Sequence, residues 1–294
     1  MPGRQVVTTP CKLNLHLGVH VEKDERGYHR VDSVMLPVEP TDGLVVEDAD
    51  ELIVRHEPAL AVPAEKTTAY RAARLLGESL GVRPDVSISI VDRIPERAGL
   101  GGSSADAAAV LRALALRWDV DPLDSRVVET ARRVGADVAF FLDPVPSLMV
   151  GAGDVLAETF PELVGLPLVL VMPRTEGGVT SECYAEFDRE PEEAADYEPL
   201  CAALRAGDAD GVAAHLSNNL ASAAKRLAPV VGEAEAWLLS RDGVVAGQVT
   251  GSGACSFAIC EGEGAARRIA RSADIERGWW SKAVLTVGLD SIFC

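Results

Sequence analysis

Two α+β units in one chain are predicted by three features of the sequence. Residues 5–60 alternate apolar and polar positions with the period of two that marks strands. A glycine run, Gly99-Leu100-Gly101-Gly102, opens directly into an Ala-rich helical stretch. An apolar run at 166–172 then restarts the order of strands and helices, after Pro144 and Pro146 have interrupted regular structure. The expected division puts residues 1–155 in an N-terminal unit and 156–294 in a C-terminal one.

In the first strand Leu13, Leu15, Leu17 and Val19 alternate, so Lys12 and Asn14 share the opposite face. Gly27 marks the turn into a second strand with Val31, Ser33 and Met35 on one face, and shorter strands are expected at 43–46 and 52–55. Ala69, Ala72, Ala73, Leu75 and Leu76 predict a helix over 66–80, and residues 86–91 a strand. The helix after the glycine run is expected to bury one face through Ala107, Val110, Leu111 and Leu114. A further helix is expected at 122–134, stopped by Gly135. In the second unit, strands are expected at 166–172, 244–249, 255–260 and 283–287. Helices are expected at 200–206, 211–220, 230–239 and 262–273. The acidic stretch 186–198 reads as a solvated connection or a poorly ordered helix.

Composition narrows the function classes. A formal charge of −17 argues against a general nucleic-acid binder, which needs a concentrated positive footprint. It leaves room for a local site that neutralises one anionic nucleotide. The six cysteines, Cys11, Cys183, Cys201, Cys255, Cys260 and Cys294, are scattered without a C-x-x-C pair, so neither structural zinc nor a disulfide scaffold is indicated. The polar start and the shortness of the apolar run at 166–172 speak against a signal peptide and a membrane span. A cytoplasmic protein is expected, with neither membrane nor nucleic acid as partner.

Five places can carry chemistry. Gly99, Gly101 and Gly102 can take positive φ and bring main-chain amides to an anion, and the start of the following helix favours negative charge. Ser103, Ser104 and Asp106 can reach Mg2+ or cap that helix, although an ordinary capped turn would use the same residues. Lys12 beside Asn14 suits a hydroxyl and a phosphoryl group, or is a surface lysine on an exposed strand face. In Gly27-Tyr28-His29, Tyr28 can stack on a base while His29 bonds its edge, or the two are a half-exposed aromatic and a turn histidine. Asp137, between Gly135 and an apolar run, is a candidate partly buried base paired with Lys12, or caps a helix. The turn Thr250-Gly251-Ser252-Gly253-Ala254 can close over phosphate or acceptor, or is a plain hairpin turn.

The glycine run lacks the Gly-Lys-Ser/Thr ending of a P-loop and the ribose carboxylate of a dinucleotide fingerprint. Protein-kinase landmarks and a serine nucleophile elbow are absent too.

Taken together these segments resemble the superfamily that contains galactokinase, homoserine kinase and mevalonate kinase, the GHMP kinases. Within it the likeness is to the family that acts on 4-diphosphocytidyl-2-C-methyl-D-erythritol in non-mevalonate isoprenoid precursor synthesis. It rests on Pro10-Cys11-Lys12-Leu13-Asn14-Leu15, Arg26-Gly27-Tyr28-His29, Leu100-Gly101-Gly102-Ser103-Ser104-Ala105-Asp106, Gly135 to Phe141, Asn218-Asn219-Leu220 and Gly251-Ser252-Gly253. The sequence departs from that pattern at Cys11, Ala139, Asp143-Pro144-Val145-Pro146 and Lys66-Thr67-Thr68, and has one glycine fewer before its serines. The resemblance implies a two-domain fold with the active site in the cleft between domains. It implies ATP and Mg2+ as cofactors, and phosphorylation of the 2-hydroxyl of a cytidyl diphosphate sugar alcohol by a monomer or weak homodimer. By the same resemblance Lys12 and Asp137 are the catalytic pair, and Gly99, Leu100, Gly101, Gly102, Ser103 and Ser104 cradle ATP. Asn14, Tyr28, His29, Tyr184, Gly251, Ser252 and Gly253 would hold the substrate, while no residue is assigned to the metal. Another small-alcohol kinase of the superfamily, or a non-catalytic metabolite sensor with the same fold, remains the alternative.

Overall fold

The computed structural model describes residues 3–161, 163–175 and 179–286. Val287, the end of the last expected strand, and Cys294 lie outside the described residues. In the N-terminal half, β1 (Gln5–Lys23), β2 (His29–Asp48), β3 (Ile53–Glu57), α1 (Thr68–Leu80), β4 (Val86–Val91), α2 (Gly102–Arg117) and α3 (Ser125–Val134) follow one another. Then come β5 (Ser147–Val150), β6 (Val155–Thr159), β7 (Pro167–Met172), α4 (Thr180–Arg189), α5 (Glu198–Ala206), α6 (Ala209–Ala214) and β8 (Ser217–Asn218). The chain ends through α7 (Ala221–Leu227), α8 (Pro229–Leu239), β9 (Val244–Val249), β10 (Ser256–Cys260), α9 (Glu263–Arg277) and β11 (Trp280–Leu285).

Seven strands make the larger sheet, in the order β3-β4-β2-β1-β8, with β5 and β6 added beside β2. The long antiparallel pair β1 and β2 is its spine, turned at Gly27, whose φ of 84° suits glycine. Instead of separate short strands, β2 runs unbroken through Pro37 and Pro40. Those prolines fall between its ladder to β5 at 33–35 and its ladder to β4 at 43–48, where among the described residues an isolated bridge from Val38 to Thr286 is all that pairs with its second edge. Irregularities in the β1–β2 register at Pro10/Cys11 and Asn14/His16 flank Lys12 and Asn14. Such bulges bend a strand and re-aim its side chains.

Helices α1 and α3 start on side-chain caps: the Thr67 hydroxyl accepts from the Tyr70 amide, and the Asp124 carboxylate from the Arg126 amide. Between them α2 is buried on all sides from Ala105 to Ala115, not on one face as its leucines alone predict. Small alanines let sheet and neighbouring helices close around it, so it serves as the central pillar. Each fully buried leucine there, such as Leu111 or Leu114, contributes roughly 1.5–3 kcal/mol relative to exposure.

The smaller sheet is antiparallel, in the order β11-β7-β10-β9. Its strands alternate strictly between two cores. Leu168, Leu170, Phe257, Ile259 and Val284 face the main core, while Val169, Val171, Ala258 and Cys260 face α8 and α9. The halves are thus welded by apolar packing. They are also joined by β8, which leaves the helix expected at 211–220 to pair in parallel with His16 and Leu17. The hairpin β5–β6 and α7 were not foreseen; β6 starts at the expected domain division and pairs back onto β5 in the larger sheet. Part of the acidic stretch is ordered in α4 and the rest is irregular up to Tyr197. Cys11, Cys183, Cys201, Cys255 and Cys260 are free thiols, all buried. Among the described residues no helix is long and apolar enough to cross a membrane.

Candidate functional site

A cleft of about 970 Å3 gathers groups from both halves: Lys12, Asn14, Tyr28, Asp137, Tyr184 and Gly251 all line it. Lys12 is only 3% exposed, which removes the reading as a surface lysine. Burying an ammonium demands partners. Its Nζ donates to Asn14 Oδ1 at 2.6 Å and stands 3.7 Å from Asp137 Oδ2. Asn14 is fixed in turn, donating from Nδ2 to the Ser33 hydroxyl at 2.8 Å and from its backbone amide to the Thr250 hydroxyl at 3.1 Å. Asp137 sits in a 3-10 turn over Ala136–Val138 with its side chain one-third exposed. Among the described residues, no hydrogen-bond donor satisfies its carboxylate apart from the ion-pair contact with Lys12.

The glycine run meets Lys12 through the backbone: the Lys12 amide donates to the Leu100 carbonyl at 3.0 Å. Gly99 and Gly101 have φ near 75° and 78°; Gly102 does not, because it already belongs to α2. Close packing is what requires glycine at the first two. A Cβ at Gly99 would lie 2.3 Å from the Thr250 carbonyl oxygen, and one at Gly101 2.9 Å from the Phe141 ring. Two amides of the run's partner turn complete the lock, Ala254 donating to the Arg97 carbonyl and Cys255 to that of Ala98. Gly101 is the N-cap of α2 and offers no side chain. Its carbonyl already accepts from Ser104 and Ala105, while the amides of the first helical turn, at Gly102 and Ser103, face no earlier helical carbonyl. The Thr68 hydroxyl donates to the Ser103 carbonyl at 2.6 Å, so the departure at Lys66–Thr68 braces this loop.

The turn at 250–254 is indeed a hairpin turn, joining β9 to β10, and it also packs against the glycine run. Gly251 and Ser252 line the cleft, a Cβ at Gly251 falling 3.3 Å from Lys12 Nζ. Gly253 does not line it; a Cβ there would meet Val249, Ala224 and Val231. Sequence reasoning assigned no role to Asn218 beyond its motif. Its Nδ2 donates to both the Val249 and Gly251 carbonyls at 2.9 Å, tying β8 to this turn.

At the far end of the cleft the structure separates Tyr28 from His29. Tyr28 is exposed at the hairpin tip with the Arg26 guanidinium 5.3 Å from its ring centre. His29 is buried, with Nδ1 2.6 Å from the His20 carbonyl oxygen. Its Nε2 is 3.2 Å from Asp188 Oδ1, an ion-pair contact that is not aligned as a hydrogen bond. Tyr184 on α4 packs beside it, ring centres 5.4 Å apart. Burial, with Asp137 nearby, pushes the Tyr184 phenol upward, so it stays a neutral donor. Lys23, unnoticed in the sequence, holds Asp188 at 2.7 Å and depresses its carboxyl.

Family models describing the N-terminal and C-terminal domains of GHMP kinases match residues 67–143 and 200–276. A Mycolicibacterium gilvum protein named 4-diphosphocytidyl-2-C-methyl-D-erythritol kinase is 36% identical over 277 residues, covering 90% of this chain and 84% of the relative. One of the same name from Paramagnetospirillum magneticum is 35% identical, covering 93% and 95%. Among solved structures, a 4-(cytidine 5'-diphospho)-2C-methyl-D-erythritol kinase superposes with a TM-score of 0.76 at 31% identity, covering 97% of this chain and all of that one. A homoserine kinase from Cytophaga hutchinsonii superposes with a TM-score of 0.75 at 18% identity, covering 98% and 95%, a likeness of fold.

Proposed function

We propose, from the premise that this chain belongs to the GHMP kinase family and has its two-domain α+β fold, that it transfers the γ-phosphoryl group of ATP to a cytidyl alcohol. The acceptor is the 2-hydroxyl of 4-diphosphocytidyl-2-C-methyl-D-erythritol. One observation carries the reading. A buried lysine and a carboxylate that accepts no hydrogen bond among the described residues stand 3.7 Å apart, beside a helix N-terminus, in a cleft whose other end is aromatic.

In the proposed step the acceptor oxygen attacks the γ-phosphorus while the bond from that phosphorus to the bridging oxygen of ADP breaks. Asp137 takes the hydroxyl proton, and ADP leaves with the bond's electron pair. Lys12 holds Asp137 ionised and offsets charge on the reacting oxygens. Asn14 orients Lys12, which leaves the remaining ammonium hydrogens for substrate. The Gly102 and Ser103 amides and the dipole of α2 would hold the triphosphate. Ser103, Ser104 and Asp137, oxygen donors on the cleft wall, would hold the Mg2+ that accompanies ATP, which would neutralise phosphate charge. Tyr28 and Tyr184 offer ring faces to the cytosine and His29 Nε2 its edge. Residues 1–155 thus supply the ATP loop and the reacting pair, and 156–294 supply Tyr184, Gly251 and Ser252. A location in the cytoplasm is part of the same proposal.

ADP release measured with the cytidyl alcohol, mevalonate and homoserine, each with Mg·ATP, tests this. Turnover is expected with the cytidyl alcohol above the other two. Preference for mevalonate or homoserine would reassign the acceptor, and binding without ADP release would make the chain a sensor.

A further inference from the structure

The wall of the same cleft holds a group of charges that the phosphoryl transfer does not use. His56 on β3, Asp92 after β4 and Asp106 on α2 each offer a ligand atom, and these atoms lie within 4.8 Å of one another. All three side chains line the cleft. His56 Nδ1 is 2.9 Å from Asp92 Oδ2, and both side chains are mostly buried.

Two atoms of this group are left without partners: His56 Nε2 and Asp106 Oδ1 are buried and make no hydrogen bond. Asp106 is the more telling, since its residue is only 3% exposed and it makes no ion pair among the described residues. Its neighbour Asp42 spends Oδ1 on the Arg93 and Ile94 amides and adds a third carboxylate to the region. Burying an unpartnered carboxylate is costly unless a cation or a proton accompanies it.

We infer that His56, Asp92 and Asp106 form a binding site for one divalent first-row cation, Mn2+ or Zn2+ by its ligand chemistry. An imidazole with carboxylates favours these ions over Mg2+ and Ca2+, which prefer oxygen alone. The site is separate from Lys12 and Asp137. It would cancel carboxylate charge behind the first turn of α2, where, on the function proposed above, a triphosphate must approach.

The test uses the full chain, stripped with EDTA and dialysed, with no nucleotide present, so its result is independent of any kinase activity. Mn2+ and Zn2+ are titrated calorimetrically, with Mg2+ as the comparison, into wild type, Asp106→Asn and His56→Gln. One saturable Mn2+ or Zn2+ site per chain is expected, weakened about tenfold or more in both variants. Pulsed electron paramagnetic resonance of the wild-type Mn2+ complex should show coupling to one imidazole nitrogen, a readout that needs no variant to fold. Absence of a saturable site, absence of that nitrogen coupling, or undiminished affinity in a folded variant would each overturn the assignment.

Discussion

The Lys12 ammonium stands 3.7 Å from the Asp137 carboxylate, held there by Asn14 at 2.6 Å rather than by Asp137 itself. The two groups come from the first strand and from a 3-10 turn after α3, and the close backbone contact of Lys12 with Leu100 sets the pair against the glycine run. A buried cation anchored from one side has hydrogens left for a substrate on the other.

Replacing Lys12 with Met keeps the volume and removes the charge. Turnover should fall by about 10²–10³, the range for losing one donor to a developing oxyanion. Steady-state ADP release checks this, and circular dichroism should show the fold retained.

Gly99 and Gly27 both have positive φ, yet only Gly99 has no room for a Cβ. Gly27→Ala should therefore cost only the backbone penalty, about 1–2 kcal/mol. Gly99→Ala must also push the Thr250 carbonyl away and should cost more than that in urea unfolding, besides weakening ATP binding. Equal losses in the two variants would show that the loop yields without disturbing the turn at 250–254.

Asn218→Ala leaves the Val249 and Gly251 carbonyls without their shared donor. A stability loss of roughly 1–3 kcal/mol is expected. Because Gly251 neighbours Lys12, kcat/KM should fall too, whereas an effect confined to stability would separate this turn from the chemistry.

Two buried groups give opposing slopes of stability with pH. Burial and nearby Asp92 raise the Asp42 carboxyl to about 6, against the stabilising pull of two backbone amides. Its contribution is full below the ordinary aspartate range, near 4, and is lost as pH rises through 6. Asp106, raised by burial and by Asp42 and Asp92, acts in the same sense. Burial lowers His16 to about 4, so its contribution is full above the ordinary histidine value of about 6.5 and is lost as pH falls towards 4. Asp42→Asn removes one of the opposing terms. In EDTA its unfolding free energy should drop more steeply than that of wild type between pH 6.5 and 4.5; a parallel profile would show that Asp42 does not titrate there.

Much of this was legible because local rules and tertiary demands agreed. Alternating leucines announced β1 and put Lys12 beside Asn14, and the glycine run announced the start of α2. Where packing overrode pattern, reading failed. Nothing local says that α2 is enclosed on every side, or that Ser217 and Asn218 leave a helical stretch to pair with β1. The sequence reads the glycines at 99 and 101 as room for an anion; that Thr250 and Phe141 also demand glycine there is a tertiary fact. Lys23, and the bonds that Thr250, Asn218 and Thr68 make, are not legible because their partners are remote in sequence. Gly253 belongs to the same turn as Gly251 but does not line the cleft, a difference that nothing local in the sequence marks.

The proposal that Asp137 takes the acceptor's proton faces its most direct test in Asp137→Asn, assayed for kcat at saturating Mg·ATP and cytidyl alcohol. The side chain is one-third exposed and keeps its shape, so folding and substrate affinity should hold while kcat falls by about 10²–10⁴. Near wild-type turnover in that variant would contradict the account.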